Sequence, residues 1–399
     1  MSLCVCLLPA FFVLLFGLCH SIVIETLISE YPANGLCHQL IIPLGYPCSE
    51  YTVETKDGYL LAVQRISHGQ NTRDALSGPP VFLQHGLFQG GDTWFENSVK
   101  QSLGFILADS GFDVWVGNVR GTRWSHGHNS LSENDKEFWD WSWEELALYD
   151  LAEMINFIHS ATNSKIFYVG HSQGTIMALA AFTRSEVVEM VAGAALLCPI
   201  SYLDHVSSQF VLRAVSLHLD QMLTTMGIHQ LNFRSNTGVQ ILESICDRNA
   251  ECSDILSSIT GKNCCFNNSR VDFYLEYEPH PSSTKNLRHL FQMIRKGNFA
   301  RYDYGILGNL IRYGTLHPKA FNLAGIPRSL PIWIGYGGQD ALADLTDVKR
   351  MLKELPLEPE LLYLETYGHI DFILSVKANE DVYGHVIEFF RSIGRRSSY

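Results

Sequence analysis

The sequence predicts an α/β fold, a mainly parallel and doubly wound sheet with helices on both faces, interrupted by an inserted and mostly helical cap. Three observations carry this. Short apolar runs recur, each bounded by Gly, Pro or polar residues: VFLQ (81–84), FDVWVG (112–117), IFYVG (166–170), AALLC (194–198), PIWIGYG (331–337) and LLYLE (361–365). Runs of this length and composition suit strands covered on both faces. Helical patterns such as WEELALYDLAEMINFIHS separate most of them, so β and α units alternate. The rhythm then breaks between about residues 203 and 326, where FVLRAVSLHLDQMLTTMGI and NLRHLFQMIRKG read as amphipathic helices. A stretch of roughly 120 residues is too long for a structureless loop, and an inserted cap is the reading that accounts for it.

In chain order, residues 3–19 form an apolar run without charge, followed by small residues near Cys19 and Ser21 suited to a signal peptidase. Residues 1–21 are therefore expected to be a cleaved secretory signal. The alternative is a signal anchor, because the run approaches a membrane span in length and has no Lys or Arg ahead of it. No later segment is apolar enough to span a bilayer. Residues 51–66, YTVETKDGYLLAVQRI, alternate on either side of Asp57-Gly58 and predict a β-hairpin. The polar stretch HGQNTRDALSGPP leads into the first buried strand, and DVYGHVIEFFRSI closes the chain as an amphipathic helix. The expected organisation is a leader (1–21), a first part of the core (22–202), a cap with a lid (203–325) and a second part of the core (326–399).

The chain has 399 residues, with 29 Lys and Arg against 41 Asp and Glu, a formal charge of −12. A phosphate-binding surface needs a cationic excess, so nucleic acid is excluded as a partner. Hydrophobic residues at 46% and charged residues at 18% describe a chain that packs a core. No repeat of 20–50 residues and no heptad run is present. Of the ten cysteines, Cys4, Cys6 and Cys19 lie in the leader, which leaves an odd number for the mature chain and at least one free thiol. Cys37 and Cys48 flank a short loop and are candidates to pair in an oxidising route. Cys246, Cys252, Cys264 and Cys265 crowd one stretch in which the pairing stays open. Cys198, in AGAALLCP, reads as a buried thiol. No paired CxxC units and no HxxxH accompanied by a carboxylate appear, so neither a metal nor a cofactor is expected. Asn267-Asn268-Ser269 is a glycosylation acceptor, which places that segment at the surface if it is used.

The chemistry gathers around Gly170-His171-Ser172-Gln173-Gly174. Alone the pattern is weak, but here it follows the strand KIFYV and precedes the helical run TIMALAAF. A serine on a sharp strand-to-helix turn needs small residues two positions to either side, and Gly170 and Gly174 supply them. Ser172 is thus the candidate nucleophile, activated by a histidine within hydrogen-bond reach. Among the sixteen histidines, only His369 and His385 follow a late-strand acid. His385 falls within the closing helix, whereas His369 sits in a Gly-His-Ile-Asp turn just after LLYLE. The acid that orients its imidazole is expected at the carboxyl end of a strand, where Asp340 follows PIWIGYGGQ. Asp344 and Asp347 read as helix-start acids and Asp371 as an ordering partner of the histidine turn. Charge developing on the substrate oxygen needs preset donors. The amide of Gln173 is one, and the amide of Leu87, in the loop after VFLQ where Gly86 allows close approach, is the other. His85 is not needed as a base and reads as a satisfied loop residue. The stretch NVRGTRWSHGH (118–128) reads equally as site lining or as surface loop.

With these residues assembled, the chain resembles the acid lipases, the family of gastric and lysosomal acid lipases, and among them the plant triacylglycerol lipase members. The resemblance rests on DGYLLAVQRI, QHGLFQGGDTW, LADSGFDVWVGNVRGTRWS, EFWDWSWEELALYDL, GHSQGT, GYGGQDALADLTDV and YGHIDFI, all in order over most of the mature chain. It implies an α/β-hydrolase core with Ser172, Asp340 and His369 as triad, Leu87 and Gln173 as oxyanion donors, and a helical cap with a movable lid. It also implies hydrolysis of neutral-lipid esters such as triacylglycerols through an acyl-serine, at a lipid–water interface, by a protein that is secreted or delivered to a vacuole or lysosome. A monomer is expected. The adjacent pair Cys264-Cys265 and its long spacer depart from the family, so the family's cap bridge does not transfer to named residues. A cap of amphipathic helices suits a water-insoluble substrate, since opening it would expose apolar surface to lipid. A second reading is a carboxylesterase or sterol esterase acting on soluble or non-glyceride esters. A third, a silent hydrolase scaffold used for binding, is opposed by the intact serine, acid and histidine.

Overall fold

The computed structural model describes residues 35–70, 78–235 and 255–396. The leader, Cys246 and Cys252 lie outside the described residues. Eleven strands occur among them: β1 (Ser49–Glu54), β2 (Tyr59–Ile66), β3 (Pro80–Gln84), β4 (Asp113–Gly117), β5 (Gly127–His128), β6 (Ile166–His171), β7 (Val191–Leu197), β8 (Gln230–Leu231), β9 (Ser282–Ser283), β10 (Ile332–Gly337) and β11 (Glu360–Leu364). The main sheet runs β1-β2-β4-β3-β6-β7-β10-β11, with β5 paired to β2. The hairpin β1-β2 and the β2-β4 pair are antiparallel, and every pairing from β4 through β11 is parallel. β3, β4 and β6 are buried at every residue, as continuous apolar runs require, while β11 is an exposed edge.

Between β7 and β10 the chain leaves the sheet for the cap. Its helices include Gln209–Ser216, Leu219–Thr225, Thr284–Lys296 and Gly305–Tyr313. The first amphipathic run is two helices, broken where His218 adopts φ 52°. The long helix Thr284–Lys296 starts at a Ser283 cap whose hydroxyl accepts from the Lys285 amide, and it ends on Gly297 in the left-handed conformation.

The cap is tied to the core by hydrogen bonds. The His280 amide donates to the Phe88 carbonyl at 2.7 Å, Ser283 Oγ to the Trp139 carbonyl at 2.6 Å, and the Tyr302 amide to Glu144 at 2.9 Å. The stretch 118–128 belongs to this junction and is not a surface loop. Arg120 is buried between Asp57 and Asp150, with four bonds of 2.6–2.9 Å from its amide and guanidinium. Arg123 donates through its guanidinium to the carbonyls of Glu276 and Tyr277, and its amide donates to His280 Nδ1 at 2.9 Å. Cys37 is bonded to Cys48, which ties down the start of the described chain, and Cys264 is bonded to Cys265. Cys198 is a free and buried thiol.

The same junction buries acids. His280 Nε2 lies 2.9 Å from Asp92, while Glu278 accepts only the Gly90 amide through one oxygen, at 3.2 Å. The other oxygen of Glu278 and both carboxyl oxygens of the fully buried Glu96 have no partner among the described residues. Burial first, and then the charge of Asp92, push the carboxyls of Glu96 and Glu278 well above the usual range. Folded Glu96 and Glu278 hold their protons more tightly than the unfolded chain does, so ionising them at neutral pH opposes folding. That penalty disappears as the pH falls through the folded values toward the unfolded value of about 4.3. Glu96→Gln is therefore expected to raise Tm by a few degrees at neutral pH and to reduce the gain in Tm on mild acidification. Thermal melts across pH check this, and an unchanged or steeper pH dependence would contradict it.

Candidate active site

The geometry of the site begins where β6 gives way to the helix Gln173–Ala181. Ser172 stands between them with φ 54° and ψ −117°, a region that a residue with a side chain enters only under constraint. The constraint is packing from both sides. A Cβ on Gly174 would lie 2.6 Å from the Gln84 carbonyl, and one on Gly86 would lie 2.9 Å from Ser172 Cβ. Only glycines let the β3 loop and the β6 turn come this close. Thr175 secures the turn by donating to the Ser172 carbonyl at 2.6 Å, and Tyr168 OH donates to the Gly174 carbonyl at 2.7 Å.

Asp340 follows β10 and His369 follows β11, and the structure brings the two together: His369 Nδ1 lies 2.8 Å from Asp340 Oδ2. The other carboxylate oxygen accepts the amides of Leu342 and Ala343, both at 2.8 Å. Burial alone would raise the Asp340 carboxyl, but the neighbouring His369 and these two amides outweigh it and hold the group below the ordinary carboxylate range. With Nδ1 donating to Asp340, His369 Nε2 is the basic nitrogen. It is buried and has no hydrogen-bond partner among the described residues.

Four further groups hold the histidine loop. The His171 ring sits between Gln89 Oε1, at 3.1 Å, and the His369 carbonyl, at 3.0 Å. The Cys198 thiol donates to that same carbonyl at 3.3 Å, and the His369 amide donates to Thr260 at 3.1 Å. Burial, and then the nearby His369, push His171 down to about 3, so it is a neutral spacer and not a second base. Asp371 accepts the amides of Gly368, Cys264 and Cys265 at 2.8–3.3 Å, which makes it the ordering partner of the turn. Asp344 caps the helix Leu345–Glu354 through the Thr346 amide, Asp347 binds His205, and His385 is exposed on the closing helix.

On the oxyanion side, the Gly86 amide is occupied by Gln89 Oε1 at 2.9 Å, and Gln89 is in turn steadied by Thr93. The amides of Leu87 and of Gln173 find no acceptor among the described residues. His85 bonds through both ring nitrogens, to the Gly86 carbonyl and the Val119 amide, and burial drives it down to about 4. The cap reaches this point, since Asn286 Nδ2 donates to Gln173 Oε1 at 2.8 Å. Ser172 and His369 are both buried. His171, Cys198 and His369 present ligand atoms within 4.8 Å of one another. Burial pushes the Cys198 thiol well up, and its hydrogen goes to the His369 carbonyl. A serine held at positive φ, an acid–histidine pair and two unpaired amides are the groups that acyl transfer uses. Nothing in the sequence pointed to Gln89, Thr260 or Asn286, because each reaches the site only through contacts distant in the chain.

Residues 79–376 match the family described as alpha/beta hydrolase fold, and residues 37–98 match the partial alpha/beta-hydrolase lipase region. The chain is similar to triacylglycerol lipase 1 of Arabidopsis thaliana, at 62% identity over 92% of this chain and 93% of that protein. It is similar also to the gastric triacylglycerol lipase of Homo sapiens, at 37% identity over 88% and 89%. Among solved structures, a soluble variant of the monoglyceride lipase of Saccharomyces cerevisiae superimposes with a TM-score of 0.55 at 13% identity, over 86% of this chain and 94% of that one. At that identity the likeness shows the fold alone.

The two acids that compete for the orienting role are separable by mutation. Asp340→Asn is expected to lower kcat on a soluble chromogenic ester by about 10⁴-fold. Asp344→Asn, a change at a helix cap, should stay within about twofold. Parallel steady-state kinetics check this, and the reverse pattern would move the acid to Asp344.

Proposed function

The chain belongs to the acid lipases of the alpha/beta-hydrolase fold, a family of carboxylic ester hydrolases, and on that premise we propose that Ser172, His369 and Asp340 cleave triacylglycerol esters. The observation that carries the assignment is the buried Asp340–His369 pair with a free Nε2, on the sheet edge where Ser172 is held at positive φ. In this reading His369 Nε2 takes the Ser172 proton as Oγ attacks the ester carbonyl carbon. The resulting oxyanion is received by the amides of Leu87 and Gln173. The imidazolium, stabilised by ionised Asp340, returns the proton to the departing glycerol oxygen. An acyl-serine remains, and water activated by the same histidine hydrolyses it to a fatty acid. Neither metal nor cofactor enters any step.

A buried serine requires the cap to move before a lipid can enter, and the Asn286–Gln173 hydrogen bond is one contact that has to yield. The Cys37–Cys48 bridge supports passage through an oxidising compartment, to the cell exterior or to a vacuole, with the leader 1–21 removed and Asn267 glycosylated. No helix among the described residues is long and apolar enough to cross a membrane. The protein is proposed to act as a monomer at the lipid–water interface.

Hydrolysis of an emulsified long-chain triacylglycerol, compared with that of a soluble short-chain ester from about pH 4 to about pH 8, tests the proposal. Wild type should favour the emulsion, and Ser172→Ala should lose several orders of magnitude on both substrates. Cleavage of the soluble ester alone would make the protein an esterase, and a Ser172→Ala variant as active as wild type would overturn the mechanism.

A further inference from the structure

The cap helix Gly305–Tyr313 is built inside out. A surface helix of a folded protein turns its apolar stripe inward. Here the one fully buried side chain is polar: Asn309 donates to Asp303 at 2.7 Å and to the Leu316 carbonyl at 3.2 Å, and it accepts the Tyr304 amide at 3.0 Å. The apolar residues point outward. Ile306 is 64% exposed, Leu307 75%, Leu310 49% and Ile311 85%, with Leu316 at 54% just beyond the helix end. Residues 306, 307, 310 and 311 are spaced as neighbours on one face. The helix is therefore held to the cap by a polar pin and presents its aliphatic ridge to whatever lies outside. A contiguous ridge of this kind marks an interaction surface.

The surroundings of the ridge indicate its occupant. The full chain carries an excess of acids, yet the stretch 284–328 holds eight Lys and Arg against the single acid Asp303. Part of that charge is answered locally: Lys296 pairs with Asp303, Lys285 with Asp140, and Arg301 with Glu144. Arg312, stacked over Tyr304 with its guanidinium carbon 4.1 Å from the ring centroid, and Lys319 have no carboxylate partner among the described residues. Both are exposed. An aliphatic ridge flanked by unanswered cations complements a hydrocarbon surface that carries negative charge. We propose that the helix Gly305–Tyr313 docks the protein onto anionic lipid surfaces, Ile306, Leu307, Leu310 and Ile311 entering the acyl layer while Arg312 and Lys319 meet anionic headgroups. The inference rests on the lipase reading for its purpose, not for its geometry. It also gives the surface reaction a self-reinforcing character, because ester hydrolysis releases fatty-acid carboxylates that add negative charge to the lipid.

The test is flotation of the full mature protein with phosphatidylcholine vesicles, with and without phosphatidylglycerol, alongside turnover of a soluble short-chain ester. Wild type should float, and more strongly with phosphatidylglycerol, an excess that rising salt should erase. Ile306→Ser/Leu307→Ser/Ile311→Ser should lose partition by about tenfold or more on both vesicles while keeping soluble-ester turnover within about twofold. Arg312→Glu/Lys319→Glu should bind neutral vesicles as wild type does and lose the anionic preference. If the triple variant also loses soluble-ester turnover, Ile311→Ser alone, at the most exposed position, decides by the same flotation. Flotation of the serine variants equal to wild type overturns the proposal. So does a wild type that sediments as a dimer and becomes a monomer on the triple substitution, since a second copy would then cover the ridge. A wild type that floats as described yet leaves emulsions intact would instead fail the lipase reading and leave the docking helix standing.

Discussion

At Ser172 the backbone must turn from strand to helix within one residue, and it does so in a conformation that costs about 1–3 kcal/mol. Much of the surrounding core serves to hold that turn. The buried strands β3 and β6 fix its approach, Gly86 and Gly174 let two loops meet at backbone distance, and Thr175 and Tyr168 occupy its carbonyls. The strain aims the serine away from the sheet and leaves the first amide of the next helix unpaired. The proposed nucleophile and one proposed oxyanion donor are thus two consequences of one backbone geometry.

A second constraint is that the histidine loop is held both from the core and from the insertion. His171 and Cys198, from the core, grip the His369 carbonyl, while Thr260 and the Cys264–Cys265 segment, from the insertion, bind His369 and Asp371 through backbone groups. The insertion is therefore part of the frame that sets the imidazole, and it reaches the nucleophile turn again through Asn286 and Gln173. Cap and chemistry are coupled through named bonds, so a cap that opens has to keep the Thr260 contacts while releasing Asn286 if the histidine is to stay in place.

Polarity is distributed against the usual rule at two places. Glu96 and Glu278 lie buried at the core–cap junction without enough partners, while Ile306, Leu307, Leu310 and Ile311 face outward. Neither arrangement adds to the stability of the closed molecule at neutral pH. Both sit on or beside the cap, the part that the proposed function requires to move, and departures from good packing are expected where function demands them.

The alternation of short apolar runs with helical patterns determined the parallel sheet, because strands covered on both faces must be apolar throughout. The glycines flanking Ser172 determined the nucleophile turn, because its steric demands are local. The position of Asp340 at a strand end and of His369 in a late turn was legible for the same reason, as were the capping role of Asp344 and the hairpin at Asp57-Gly58. Tertiary structure alone decided the rest. That 118–128 is a buried junction depends on Asp57 and Asp150 converging on Arg120 from distant segments. That Gln89, His171 and Thr260 steady the loops of the candidate site depends on contacts made across the fold. That the helix Gly305–Tyr313 buries Asn309 and turns its aliphatic residues outward depends on the hydrogen bonds of Asn309 to Asp303, Tyr304 and Leu316. Spacing along the chain tells which residues share a face. Which way the face points is set by partners that spacing does not name.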